Sequence, residues 1–93
     1  MPARTDRNQS AIVSALRYAR ATVQVLAEIG HGCPDLLVGW RGQNLLIEVK
    51  DGTKPPSKRV LTPDEERWHA TWCGQVAVVT SVEDALRLLE ATP

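Results

Sequence analysis

Residues 34–50 read PDLLVGWRGQNLLIEVK, and this stretch decides the fold. Two runs of apolar and β-branched residues flank the Arg41-Gly42 pair, a pattern typical of two strands joined by a tight turn. If the turn has two residues, Asp35 lies directly opposite Glu48. Opposed side chains of an antiparallel pair have Cβ atoms roughly 4.5–5.5 Å apart. The stretch therefore predicts a β-hairpin that brings two carboxylates together, whereas a three-residue turn would shift that register by one position.

The paired carboxylates predict a metal site. Two negative charges among apolar neighbours repel each other with little screening, unless a cation lies between them. Oxygen ligands suit Mg²⁺ or Mn²⁺, and the backbone carbonyl of Val49 is a natural further ligand. Lys50 follows Glu48 by two residues and so leaves the same face of the strand. A hard cation beside an ammonium group is suited to attack on a phosphodiester by water.

Periodicity and capping signals predict the remaining elements. We expect a first helix over 8–20, because apolar residues recur there at helical spacing, and a second helix from Thr62 to about Trp72 with a capping box at Glu65. The other predicted elements are strands at 22–26, 34–39, 44–50 and 75–80, and a last helix after Ser81. The order α-β-β-β-α-β-α predicts an α/β domain, a small mixed sheet flanked by helices.

Composition limits the class of protein. The 93 residues suffice for a single domain, 1–93, with one modest core. No apolar run approaches the ~20 residues that span a bilayer, and the first residues lack the apolar stretch of a signal peptide. Two cysteines without a secretion signal favour reduced thiols, so we expect a cytoplasmic protein, in a bacterium or a phage-infected host cell.

Eleven basic residues balance eleven acidic ones, so any nucleic-acid binding must come from a local basic patch. The Pro-containing loop 51–61 directly follows Lys50, and two interpretations of it stay open: an ordinary solvated loop, or an arm that contacts phosphates. The candidate DNA contacts are Lys54, Lys58 and Arg59 of this loop, Arg7 of a loose N-terminal arm (1–7), and His31. Arg4, Arg17 and Arg20 extend the patch or are simply solvated.

The aromatic and metal-ligating residues give weaker signals. Trp68 and Trp72 are four residues apart on the second helix, and we expect them to pack in the core of a chain without phenylalanine. Four side chains of the type that binds zinc, His31, Cys33, His69 and Cys73, do not have the spacing of a structural zinc site. We interpret them as two buried thiols and two ordinary histidines.

Pro34-Asp35 followed by Glu48-Val49-Lys50 resembles the PD-(D/E)xK nuclease superfamily. The wider runs GCPDLLVGWRGQNLLIEVKDG (32–52), LTPDEERWHATWCG (61–74) and QVAVVTSVEDAL (75–86) are similar to a stand-alone VRR-NUC domain of phages and bacteria, over about 8–89. The resemblance implies a restriction-endonuclease-like αβββαβ core with an extra C-terminal helix. It also implies a Mg²⁺- or Mn²⁺-dependent DNA endonuclease, with Asp35, Glu48 and the Val49 carbonyl as metal ligands and Lys50 as the catalytic lysine.

One departure from the family pattern concerns the first helix. The family usually carries a glutamate there that points toward the metals, and the matching place reads Asn8-Gln9-Ser10, with Gln9 as a peripheral member of the site. Glutamine offers a carbonyl oxygen but no negative charge. The family also often has a glutamine in the second helix, where this chain has Glu65 and Glu66. The alternative is therefore a weakened or inert nuclease-fold module that binds DNA or protein.

The resemblance also suggests a substrate and an assembly. A monomer of this size covers little duplex DNA, and a two-fold dimer would place two sites on two strands. We therefore expect a homodimer that cleaves duplex DNA or branched DNA such as Holliday junctions. Base-specific cutting is less expected, because so short a chain lacks an evident recognition element.

Overall fold

A computed structural model describes residues 7–93; the first six residues of the predicted arm, Arg4 among them, lie outside the described residues. The chain forms α1 (Arg7–Tyr18), β1 (Thr22–Val25), β2 (Leu36–Trp40), β3 (Gln43–Val49), α2 (Pro63–Thr71), β4 (Ala77–Val79) and α3 (Val82–Ala91). A single 3₁₀ turn, Pro56–Lys58, interrupts the long loop before α2. The predicted order of elements is confirmed, with boundaries displaced by at most two residues. Arg7, predicted as part of the loose arm, is instead the first residue of α1.

The four strands form one mixed sheet in the order β1-β2-β3-β4. The β2–β3 register is the predicted one, with Leu37 opposite Leu46. The two turn residues, Arg41 (φ 50°) and Gly42 (φ 78°), both have the positive φ that a tight hairpin turn requires. After α2 the chain returns as β4, which pairs in parallel with β3. The segment that contains α2 is the crossover connection that a parallel pair of strands needs.

The hydrophobic core lies on one face of this sheet, beneath α1 and α3. The helix stripes supply Ile12, Leu16 and Leu89, and the sheet supplies residues that alternate along the strands, as a face with period two requires. The fully buried strand residues on this face are Leu36, Val38 and Ile47. Along residues 7–93, no helix has the length and apolar character to cross a membrane.

α2 lies against the opposite face, where β3 ends. Its N-terminus has the predicted capping box: Glu65 N–H donates to Thr62 Oγ1 (3.2 Å), and Thr62 N–H donates to Glu65 Oε1 (2.8 Å). The prediction that Trp68 and Trp72 pack in the core is wrong. Their rings stack on each other at 4.5 Å, and Trp72 is 44% exposed. No residue of α2 is fully buried, because a single helix cannot cover this face.

Gly32 lets the loop before β2 approach α2 closely. Its φ is +82°, and a Cβ there would lie 2.3 Å from the backbone oxygen of Asp64, in the first turn of α2. Only glycine fits such a conformation and such a contact. The chain that leads into Asp35 is thereby held against the start of α2.

Candidate active site

Asp35 stands at the point where the β2–β3 ladder ends. The last paired residues are Leu36 and Ile47. One position further on, the Asp35 carboxylate replaces a backbone carbonyl: Val49 N–H donates to Asp35 Oδ2 at 2.7 Å. The side chain is thus fixed at the edge of β3 by the strand's own hydrogen-bonding pattern, and a carboxylate still has acceptor capacity for another ligand.

Glu48 is an acid in a buried position. It is 1% exposed, and its Oε1 has no hydrogen-bond partner among residues 7–93. Burial raises the pKa of Glu48 above its usual value, and a hydrogen bond with Asp35, together with the charges of Asp35 and Glu65, raises this pKa further. The charge of the nearby Lys50 lowers the pKa of Glu48, but by less than these effects raise it. Asp35 and Glu48 are therefore brought together, in a place where two negative charges are costly without a cation.

The backbone of Val49 faces the same edge as Asp35. The N–H and C=O of one strand residue point the same way, and the Val49 N–H points toward Asp35. The next residue points to the other side, where Lys50 N–H donates to Val79 O (2.9 Å). The Val49 carbonyl therefore lies on the side of Asp35, so Asp35, Glu48 and Val49 could together offer oxygen ligands to a cation.

Lys50 is held by α2. Its Nζ lies 2.6 Å from Glu65 Oε1, and the two side chains are 14% and 17% exposed. Burial of Glu65 opposes its ionisation, but hydrogen bonds from Lys50 and from the Thr62 backbone hold the pKa of Glu65 below its usual value. The Lys50 side chain is thus fixed in position, on the face of β3 that carries Glu48.

His69 is a site residue that the sequence analysis interpreted as an ordinary histidine. Its Nε2 lies 3.9 Å from Glu48 Oε1, too far for a hydrogen bond, and this nitrogen is buried without a hydrogen-bond partner among the described residues. The signal in the sequence was its spacing: His69 follows Glu65 by four residues, so both side chains leave the same face of α2. The contact between Lys50 and Glu65 therefore also brings the imidazole over Glu48.

The other zinc-type residues are dispersed. Cys33 is half-buried near the two acids, and burial, followed by the charges of Glu48 and Asp35, raises the pKa of its thiol. The prediction of buried thiols is wrong for Cys73, which is exposed because it follows the end of α2 on the surface. His31 is also exposed and lines a depression of about 380 Å³ with Asp64 and other residues of α2. Among residues 7–93, no three His, Cys, Asp or Glu side chains form a ready-made metal cage.

Gln9 is 6% exposed and lies in the first turn of α1. The adjacent Asn8 docks this turn onto the sheet: its Nδ2 donates to Lys50 O (2.8 Å) and Thr80 O (3.2 Å). The turn that carries Gln9 is therefore fixed against the ends of β3 and β4.

The candidate DNA contacts lie in the loop after β3, at the start of α1 and beside α2. Lys54 and Lys58 are exposed, and Arg59 is half-buried. Arg7 is exposed and lines a depression of about 360 Å³ together with Asp51 and Thr53, at the start of the loop. Arg7 therefore lies beside the loop, whereas His31 lies against α2.

No protein-family model matches the sequence, and no curated protein matches it. A solved structure titled "VRR_NUC domain" is similar to the chain, with a TM-score of 0.68 and 29% sequence identity. The similarity covers 94% of this chain and 95% of that chain, so it includes every element that carries the residues above. The phage or bacterial type stays a prediction. The match in fold, sequence and extent supports the identification of this chain as a VRR-NUC domain, a nuclease-fold domain.

Proposed function

We propose that this chain is a Mg²⁺- or Mn²⁺-dependent endonuclease that hydrolyses phosphodiester bonds in DNA. The nuclease fold supports the class of reaction. The observation that carries the proposal is the fully buried carboxyl of Glu48, next to Asp35 and with an oxygen left unpartnered among the described residues. A fold gains no stability from such a group, whereas a cation site requires it.

The residues fit a hard divalent cation. Asp35 and Glu48 would supply carboxylate oxygens and Val49 a carbonyl oxygen, a donor set that suits Mg²⁺ or Mn²⁺. The unpartnered Glu48 Oε1 is an acceptor for which the protein supplies no hydrogen. The bound cation would supply a water of lowered pKa and charge stabilisation at the phosphate.

Lys50 has the second role. Its ammonium is held by Glu65 on the face of β3 that carries Glu48, so it donates hydrogen bonds to the attacking water or offsets the charge that develops on the phosphate oxygens. Water is the nucleophile, and no covalent enzyme intermediate is needed. Gln9 offers an amide oxygen at the edge of the site.

We propose that substrate contacts come from the basic residues near the end of β3, Arg7, Lys54, Lys58 and Arg59, with His31 as a more distant contributor. They would bind the phosphate backbone without reading sequence. We further propose a homodimer in which two sites cut two strands, with branched DNA such as a Holliday junction as substrate, in the cytoplasm.

A second candidate is a nuclease-fold module without cleavage, which binds DNA or protein. Two observations favour it: position 9 holds an amide where an acid is expected, and Lys50 is engaged by Glu65 at 2.6 Å. In this alternative, Gln9→Glu restores cleavage that the natural chain lacks.

Cleavage assays on a linear duplex and on a four-way junction, with Mg²⁺ and then Mn²⁺, test the proposal. We expect Glu48→Ala and Lys50→Ala to lose at least about 100-fold in rate. Arg87→Ala, at a 75%-exposed side chain of α3, is the control and keeps the wild-type rate. Wild-type protein without cleavage would overturn the proposal, and gain of cleavage by Gln9→Glu would then support the second candidate. Equal cleavage of duplex and junction, or a monomer in sedimentation, would overturn the branched-DNA assignment.

A further inference from the structure

A groove of about 550 Å³ lies at the end of the sheet away from Glu48, beside the β2–β3 turn. Arg20 and Arg41 line it, together with Asn44, whose amide can donate hydrogen bonds, and Gln43, whose Nε2 already donates to Pro93 O at 2.8 Å. The described lining includes no acidic residue. Neither guanidinium forms an ion pair with a carboxylate of residues 7–93. The groove therefore carries two arginines that form no ion pair among residues 7–93, on a chain whose net charge is zero.

Both arginines occupy backbone positions that normally belong to glycine or asparagine. Arg20 (φ 76°) ends α1, where Ala21 N–H donates to Leu16 O and Arg20 N–H to Arg17 O, the hydrogen bonds of a Schellman cap. Arg41 (φ 50°) is the first residue of the hairpin turn. A non-glycine residue in this conformation costs about 1 kcal/mol or more, and such strain clusters at ligand-binding positions.

The Arg41 guanidinium is also held in place before any ligand arrives. Its Cζ lies 4.9 Å from the centre of the Trp40 ring. The ring is itself fixed, because Trp40 Nε1 donates to Leu89 O at 3.1 Å. A preorganised cation loses less side-chain entropy on binding an anion than a free arginine does.

We propose that the groove between Arg20 and Arg41 binds backbone phosphates of the DNA at a distance from the scissile bond. The proposal rests on the proposed function for the identity of the ligand. Asp35 and Arg41 are six positions apart along extended chain, which is roughly 20 Å at 3.3 Å per residue. At 3.4 Å per base pair, this corresponds to about six base pairs of duplex, so the groove extends the footprint beyond the candidate active site.

Binding of a labelled 20-base-pair duplex in EDTA, measured by anisotropy over a range of salt concentrations, tests the groove without any metal or cleavage. The test variant is Arg20→Asn with Arg41→Asn, because asparagine tolerates positive φ while it removes the charge and the long guanidinium side chain. We expect its Kd to rise about tenfold or more at low salt. We expect the slope of log K against log salt to fall by about 1.8, which is 0.9 for each lost phosphate contact.

The matched control is Arg67→Asn with Arg87→Asn, which removes the same charge from two exposed arginines already paired with Asp64 and Asp84. We expect the control to bind like the wild type, and Arg20→Lys with Arg41→Lys to keep the wild-type salt slope. Three results would overturn the proposal that the groove binds phosphates. They are an unchanged Kd and salt slope in the asparagine variant, an equal loss of affinity in the control variant, and a wild-type protein that does not bind DNA without metal. Wild-type protein that binds DNA but does not cleave it overturns the proposed function alone.

Discussion

At the residue scale, the site combines groups that a stable core would avoid. Glu48 is 1% exposed, and its pKa is raised first by burial and then by Asp35. Lys50 and Glu65 pair beside it, so the Lys50 ammonium near Glu48 is shared with another acid. This arrangement costs folding stability, and natural sites of this kind retain such a cost because function requires the charge.

Glu48→Gln should therefore stabilise the metal-free protein while abolishing cleavage. The folded state holds a proton on Glu48 that the unfolded state releases above its ordinary pKa of 4.5, so wild-type stability falls as pH rises beyond that value. We expect Glu48→Gln to gain about 1–2 kcal/mol in the free energy of unfolding at pH 8, and less at pH 5. Urea denaturation in EDTA measures the free energy of unfolding of the two proteins at pH 8 and at pH 5.

The exposed carboxylate of Glu90 on α3 provides the control, since Glu90→Gln removes the same charge from a solvated position. A Glu48→Gln protein that is no more stable than the wild type at pH 8 would contradict this account of the buried acid.

At the scale of elements, α2 is attached in an unusual way. It contributes no fully buried residue, and the contacts that hold it are the capping box, the Lys50–Glu65 ion pair and the close approach of Gly32 to its first turn. These polar and backbone contacts help to place Glu65 and His69 over the sheet. The position of α2 is the part of the fold most sensitive to a single change.

Gly32→Ala should displace α2, whereas Gly30→Ala should not. Both glycines have positive φ (82° and 72°), but a Cβ at Gly32 would meet the Asp64 backbone, and a Cβ at Gly30 meets nothing within 4 Å. The backbone strain of the two variants is therefore matched. The difference between their free energies of unfolding reports the contact of residue 32 with the Asp64 backbone. We expect Gly32→Ala to lose about 1–3 kcal/mol more than Gly30→Ala in urea unfolding, with a change in tryptophan fluorescence from Trp68. Equal losses would show that the contact does not hold α2.

At the scale of the whole molecule, metal binding and folding are linked. The candidate oxygen donors come from the start of β2 and the end of β3, which meet only in the folded sheet. A cation that binds these groups therefore stabilises the folded state alone.

Mn²⁺ at 100 times its Kd should stabilise the wild type by about 2.7 kcal/mol. For a domain of this size that is an increase in Tm of about 10–20 °C, measurable by circular dichroism. Glu48→Gln should show little of this increase, although it starts from a higher Tm without metal. An equal increase in both proteins would place the bound ion elsewhere.

The hairpin and the two acids that it brings together were predictable from the sequence. The register of β2 and β3 follows from the Arg41-Gly42 turn and from alternation along the strands, and both are local properties of the chain. The helix starts at Thr62 and Ser81 were predictable for the same reason, because a cap is formed by residues three positions apart. The proximity of Asp35 to Glu48 followed from these local rules.

The contacts that other elements make with the hairpin depend on the tertiary structure. His69 above Glu48, Glu65 on Lys50, the surface stack of Trp68 and Trp72, and the meeting of Arg20 with Arg41 all join segments far apart in sequence. These contacts depend on how α2 crosses the sheet and on where α1 ends relative to the hairpin turn. Neither is fixed by periodicity or capping, because packing between elements depends on the shape and volume of every side chain at their interface.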